Sequence, residues 1–165
     1  MADQRASDLW RVRPVEHGDW DDWRRLFGGY CDFYRWPTSE QHQRLIWSWI
    51  HDAKSIEALV AVPSEQDGPA VGLAHLRSWV RPLRGIVCGY LDDLFVDPQT
   101  RSMGVVDALF EAIDAIAVER GWAVVRWTTA DDNYRARTAY DRVATRTGWI
   151  TYDMTPGRPA PPIGD

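Results

Sequence analysis

Leu91-Asp92-Asp93-Leu94-Phe95-Val96-Asp97-Pro98-Gln99-Thr100-Arg101-Ser102-Met103-Gly104-Val105-Val106-Asp107-Ala108-Leu109 reads as a strand, a Pro-marked turn and the start of a helix. A basic residue, Arg101, and a glycine, Gly104, stand where that helix begins. The first backbone N–H groups of a helix have no partner within it, and the helix dipole adds partial positive charge there. A pyrophosphate suits such a place, seated on Met103 to Asp107 with Arg101 beside it. On physics alone, any phosphate ligand qualifies.

Downstream, Val106, Leu109, Ile113, Ile116 and Ala117 mark one face of a helix that ends before Gly121. Trp122 to Thr128 reads as a strand buried on both faces. Asn133 caps a further helix with Ala136, Ala139, Tyr140, Val143 and Ala144 on its inner face, and Trp149 to Met154 reads as a last strand.

Upstream, residues 70–80 and 86–96 pair as an antiparallel hairpin through Arg81-Pro82-Leu83-Arg84-Gly85. Ile56 to Val62 is another strand, and Pro63 to Pro69 a polar turn. Thr38 or Ser39 caps a helix over residues 40–52 with Leu45, Ile46 and Trp49 inward. Asp19 caps a helix to Tyr34, in which Trp20, Trp23, Phe27 and Tyr30 recur every three or four residues. Trp10 to Val15 is the first strand. The order β-α-α-β-β-β-α-β-α-β implies a mixed sheet with helices on its faces.

With 165 residues, one domain spanning residues 10–155 is expected, flanked by a flexible stretch 1–9 and a Pro/Gly-rich tail 156–165. The net charge of −5 disfavours a nucleic-acid partner, which calls for a basic face. No stretch resembles a signal peptide or is apolar for long enough to span a bilayer, so a cytoplasmic protein is expected. Cys31 and Cys88 read as buried thiols, and no Cys/His spacing suggests a metal. Most of the ten tryptophans are expected in the core.

Two strings together resemble the GNAT superfamily of N-acetyltransferases. Leu91 to Leu109 is similar to that family's motif A, and Asn133-Tyr134-Arg135-Ala136-Arg137-Thr138-Ala139-Tyr140-Asp141 is similar to its second coenzyme-contacting helix. Leu91-Asp92-Asp93-Leu94-Phe95-Val96 is closest to the spermidine/spermine and histone/amine acetyltransferase branch. The resemblance implies a GNAT-like α/β fold, with a mostly antiparallel central sheet and helices on both faces. It implies acetyl-CoA as cosubstrate, no metal, a primary amine of a small molecule (a polyamine, amino acid or similar) as acceptor, and a homodimer.

The resemblance also assigns residues. The backbone of Leu94, Phe95 and Val96 would pair with pantetheine. Arg101, Ser102, Met103, Gly104, Val105 and Val106 would hold the pyrophosphate, and Asn133 would contact the coenzyme. Tyr140 would protonate the departing thiolate, as a neutral phenol can. Asp92 stands where the related amine acetyltransferases carry a glutamate that takes the amine's proton. Asp93 should face the other way if the strand is regular. Tyr34, Trp36, His75, Asp92 and Asp93 are the expected acceptor-site residues, with Tyr30, Trp79 and Tyr90 as further aromatic candidates.

The family's last small residue of the phosphate loop is here Val106. A β-branched side chain at that place holds the backbone away from the pyrophosphate. A coenzyme-binding module without catalysis is therefore one alternative to a small-molecule acetyltransferase, and a protein-lysine acetyltransferase is another.

Overall fold

A computed structural model describes residues 5–65 and 68–157. Residues 1–4 of the expected flexible stretch and 158–165 of the expected tail lie outside the described residues. Ala6–Leu9 forms a single 3-10 turn in which Ser7 is buried and donates to Glu111 Oε1 at 3.2 Å.

Strands β1 (Trp10–Pro14), β2 (Glu57–Pro63), β3 (Gly72–Arg81), β4 (Ile86–Val96) and β5 (Val125–Arg126) form one sheet in the order β1-β2-β3-β4-β5. The first four run antiparallel, and β5 lies parallel to β4. The helices are α1 (Trp20–Phe33), α2 (Glu40–His51), α3 (Val105–Glu119) and α4 (Tyr134–Tyr140). The chain falls into two compact units, Met1–Asp132 and Asn133–Asp165. The first holds the whole sheet with α1, α2 and α3.

Strand alternation assigns the two faces of the sheet. A Cβ on Gly72 would stand 2.8 Å from Val105 and 3.2 Å from Leu109 of α3. Only glycine lets that helix start lie so close to β3. Three residues on, His75 points to the opposite face and meets Trp23 of α1. The main core fills that second face, where Trp23, Leu26 and Phe27 of α1 pack with Ile46 of α2 and with Val60, Leu73 and Phe95 of the sheet.

The helix starts follow local chemistry. Ser39 caps α2, its hydroxyl accepting from the His42 N–H at 3.2 Å. Asp19 sits at the start of α1, but its carboxylate turns back. It accepts from the Glu16 N–H at 2.8 Å and takes a two-pronged bond from Arg13. Arginine's fork outcompetes the helix N–H groups for that carboxylate.

Several further expectations fail. Leu45 and Trp49 are exposed, and Gln43, Ile46, Trp47 and Ile50 form the inward face of α2. Only Trp23 and Trp122 of the tryptophans are buried, while Trp20 and Trp47 pack partly buried against the core. The strand expected over 122–128 shrinks to Val125–Arg126, whose pairing with β4 ends at Tyr90. Among the described residues no strand follows α4. Trp149, Ile150, Tyr152 and Met154 are all exposed, and a strand without a ladder partner leaves its polar backbone unpaired and its apolar side wet.

In the second unit, the Asn133 side chain caps α4, accepting from the Ala136 N–H at 3.3 Å. The helix ends at Tyr140, short of Val143 and Ala144, which are exposed. Thr145, Thr147 and Gly148 beyond them are poor helix formers.

Candidate active site

The site begins with one irregularity in β4. Asp93 pairs with His75 and Leu91 with Leu76, so Asp92 is an extra residue in the ladder. Such a bulge bends its strand and re-aims side chains. Its effect is to turn Asp92 and Asp93 toward the same cavity of about 400 Å³. The regular-strand expectation, with Asp93 on the opposite face, is corrected here by the bulge.

The ladder between β4 and β5 is short. Strands β4 and β5 pair at Gly89–Val125 and Tyr90–Arg126, whereas β4 runs on to Val96. Thr128, Thr129 and Ala130, just past β5, line the cavity opposite the two carboxylates. Helix α1 and the turn after it supply Phe27, Tyr30, Cys31, Tyr34 and Trp36, and α2 supplies His42. The rim is aromatic, with Tyr34 and Trp36 exposed.

The two carboxylates have different surroundings. Asp92 takes both its bonds from Arg77 Nε, at 2.9 and 3.1 Å. Arg77 in turn lies over the Tyr90 ring. Burial pushes the Asp92 carboxyl up, and the Arg77 bond offsets only part of that rise. Burial acts upward on Asp93 too, but hydrogen bonds from His75 and Tyr30 hold its carboxyl below the usual range. Cys31 lies on the same cavity wall, and burial pushes its thiol up, so it stays protonated near neutral pH.

Tyr34, Trp36, Asp92 and Asp93, all expected at the acceptor site, share this cavity. His75 does not reach it. The ring is fully buried behind Asp93, with Nδ1 2.8 Å from Asp93 Oδ2. Trp79 and Tyr90 are not among its lining residues either; both stack with arginines farther along the sheet. Phe27, Cys31, His42 and the 128–130 segment carry no motif that marks them as site residues; only the packing of α1, α2 and β5 identifies them.

The turn between β4 and α3 is held by local bonds. Asp97 opens it, with Oδ1 accepting from the Gln99 N–H at 3.0 Å and Oδ2 paired to Arg25 of α1 at 2.8 Å. Ser102 and Gly104 take positive φ, 65° and 84°. Gly104 is the N-cap of α3, a left-handed position that a Cβ would strain. The Trp10 indole donates to the Met103 carbonyl at 2.6 Å and ties the turn to β1. The N–H groups of Val105 and Val106 thus open the helix, with Arg101 half-buried nearby in the chain. The Val105 side chain is buried, whereas Val106 is half-buried. Asn133 and Tyr140 stand at the two ends of α4 in the second unit.

A model of the acetyltransferase (GNAT) family matches residues 20–144. The chain belongs to the GNAT acetyltransferase family. Several similar proteins are named N-acetyltransferases. The D-amino-acid N-acetyltransferase HPA3 of Saccharomyces cerevisiae is 28% identical over 155 residues, covering 91% of this chain and 93% of that protein. The aminoglycoside N(6')-acetyltransferase type 1 of Klebsiella aerogenes is 30% identical over 112 residues, 67% of this chain and 72% of the relative. In fold, the chain resembles the aminoglycoside N-acetyltransferase AAC(6')-Iy, solved in complex with CoA. That likeness has a TM-score of 0.76 at 17% identity, over 89% of this chain and 95% of the other. Among the described residues, no helix is long and apolar enough to cross a membrane.

Proposed function

We propose that this GNAT-family enzyme transfers the acetyl group of acetyl-CoA to a primary amine of a small molecule within one ternary complex. The observation that carries the reading is the bulge that sets Asp92 and Asp93 side by side in an aromatic-lined cavity where β4 and β5 part. Two carboxylates and the faces of Phe27, Tyr30, Tyr34 and Trp36 suit an ammonium group. The two relatives named above support a small amine as acceptor. An amino acid or a polyamine is the acceptor class we favour.

The residues fit the coenzyme. The left-handed Gly104 opens the N-terminus of α3 to an anion, and β4 runs six residues past its last pairing with β5, which leaves an edge for pantetheine. The coenzyme supplies a thioester whose carbonyl carbon accepts the amine. Asp92 takes the proton that the bound ammonium must lose before its nitrogen can attack. An amine of pKa ~10.4 must give up about 4.6 kcal/mol to be neutral at pH 7, from ~3.4 units at ~1.36 kcal/mol each. A positioned base recovers part of that cost, ~10²–10⁴-fold in rate. Tyr140 donates a proton to the departing sulfur as the carbon–sulfur bond breaks. In this reading Arg101 serves the pyrophosphate and Asn133 contacts the coenzyme's pantetheine. The transfer is direct, without an acetyl-cysteine intermediate, because neither Cys31 nor Cys88 stands in a recognised nucleophile setting.

We also propose a homodimer working in the cytoplasm. The bare apolar end of the β3–β4 hairpin, with Val80, Leu83 and Val87 exposed, supports a self-association surface, and a monomeric mass in sedimentation would refute it.

Calorimetry with coenzyme A tests the core of the reading. The wild type should bind, and Gly104→Glu, which strains the left-handed position and adds a negative charge beside the pyrophosphate, should not. A wild type that ignores millimolar coenzyme A would overturn the assignment.

A further inference from the structure

The pair of side chains behind Asp93 takes no part in the proposed transfer, yet its hydrogen bonding has one solution. The Trp23 indole N–H donates to His75 Nε2 at 3.0 Å, and His75 Nδ1 lies 2.8 Å from Asp93 Oδ2. An indole nitrogen donates and never accepts. Nε2 is therefore the accepting nitrogen, and the neutral ring carries its proton on Nδ1, aimed at Asp93. Trp23 and His75 are both 0% exposed, so no solvent competes for these bonds.

We infer that Trp23 and His75 are positioning residues that hold Asp93 as a directed carboxylate for the ammonium group of the acceptor. The inference rests on the amine acetylation proposed above. It divides the work of the two carboxylates. Asp93 remains an anion and binds; Asp92, raised by burial, receives the proton. Neighbouring carboxyls pushed apart in this way take separate roles.

The same geometry removes His75 from the list of bases. Protonation at Nε2 would set two N–H groups head to head across 3.0 Å, and Nδ1 already bears a proton. A chain that ends in an indole also has no acceptor to pass a proton to. The charged and titratable groups around Asp93 are few. His75 faces it from β3, Tyr30 bonds it and Cys31 adjoins it from α1, His42 shares the cavity from α2, and Asp92 with Arg77 lies alongside.

The test uses the full chain and three variants: Trp23→Phe, which keeps a ring but loses the N–H; His75→Leu; and His75→Asn, whose amide nitrogen restores a donor near the Nδ1 position. The first readout is independent of acetyl transfer. The carboxyl carbon of Asp93, followed by NMR against pH, should titrate below the ordinary carboxylate range in the wild type. It should move up by a unit or more in His75→Leu and Trp23→Phe and return in His75→Asn. The imidazole nitrogens of His75 should report the Nδ1–H form in the wild type.

The second readout is steady-state kinetics with D-lysine as the probe amine. KM for the amine should rise tenfold or more in His75→Leu with kcat within threefold, and His75→Asn should recover KM to within threefold. An Nε2–H tautomer in the wild type would overturn the inference. So would an Asp93 titration that all three variants leave unmoved, or a His75→Asn that behaves as His75→Leu in both readouts. A wild type that binds coenzyme A but acetylates no amine would refute the proposed function instead, and the carboxyl titration still decides the positioning.

Discussion

Asp92→Asn removes one charge at nearly constant shape, which makes it the sharpest probe of the proton path. Folding should survive it. The Asp92–Arg77 pair is part-exposed, with side chains 28% and 43% accessible, and such pairs contribute about 1 kcal/mol or less. Catalysis should not survive it so well. Loss of a general base costs ~10²–10⁴-fold, equivalent to about 2.7–5.4 kcal/mol of barrier. The deficit should depend on pH. At pH 7 only about one amine in 2,500 is neutral for a pKa of ~10.4, and each unit of pH raises that fraction about tenfold. The variant should therefore recover toward the wild-type rate as pH rises to 9 or above. In the wild type, activity should fall as pH drops through the raised Asp92 pKa, because the protonated carboxyl accepts nothing. That break should be missing from the variant, whose rate should instead follow the neutral-amine fraction across the whole range. Thiol release, read with a disulfide dye from pH 5 to 9.5 under saturating coenzyme, measures all of this. A variant that keeps the wild-type profile would show that Asp92 does no more than pair with Arg77.

Three further outcomes are expected. Val106→Gly should tighten coenzyme A binding by calorimetry despite a helix-propensity cost of about 1 kcal/mol; equal or weaker affinity would show that the turn already accommodates valine. Tyr140→Phe removes one hydroxyl, so kcat should fall tenfold or more while coenzyme affinity holds, and an undiminished kcat would contradict its role as the thiol-side acid. Asp19→Asn breaks the Arg13 fork and should cost about 1.5–3 kcal/mol in chemical unfolding at pH 7. Because the Arg13 bond lowers the Asp19 carboxyl against the upward pull of burial, this advantage is present above the ordinary carboxylate pKa. It should be lost as pH falls through the lowered folded value, and equal stability of the two proteins at pH 7 would refute it.

What could be read from the sequence was whatever depends on near neighbours. Ser39 and Asn133 cap their helices through bonds three residues long, and Gly104 stands at a helix start as its place in the motif implies. The hairpin of β3 and β4 follows from two apolar runs around Pro82 and Gly85. What escaped depends on partners distant in the chain. The orientation of Asp93 hinges on a one-residue slip between β3 and β4, which no periodicity announces. The inward face of α2 is set by where α1 lies, so Gln43 is buried and Leu45 is not. His75 reads as an acceptor-site residue because its type suits chemistry, and only the Trp23 contact shows it to stand behind the site. Trp149 to Met154 has strand-forming residues but no ladder, and propensity without a partner makes no strand.

The most direct measurement is acetyl transfer itself, followed by mass spectrometry with acetyl-CoA and a panel of amino acids, diamines and aminoglycosides. The expected result is an N-acetylated amine formed in equal amount with free coenzyme A, with turnover suppressed at pH 7 in Asp92→Asn. Binding of coenzyme A with no acetylated amine from any member of the panel would contradict the proposed enzyme and leave a coenzyme-binding module in its place.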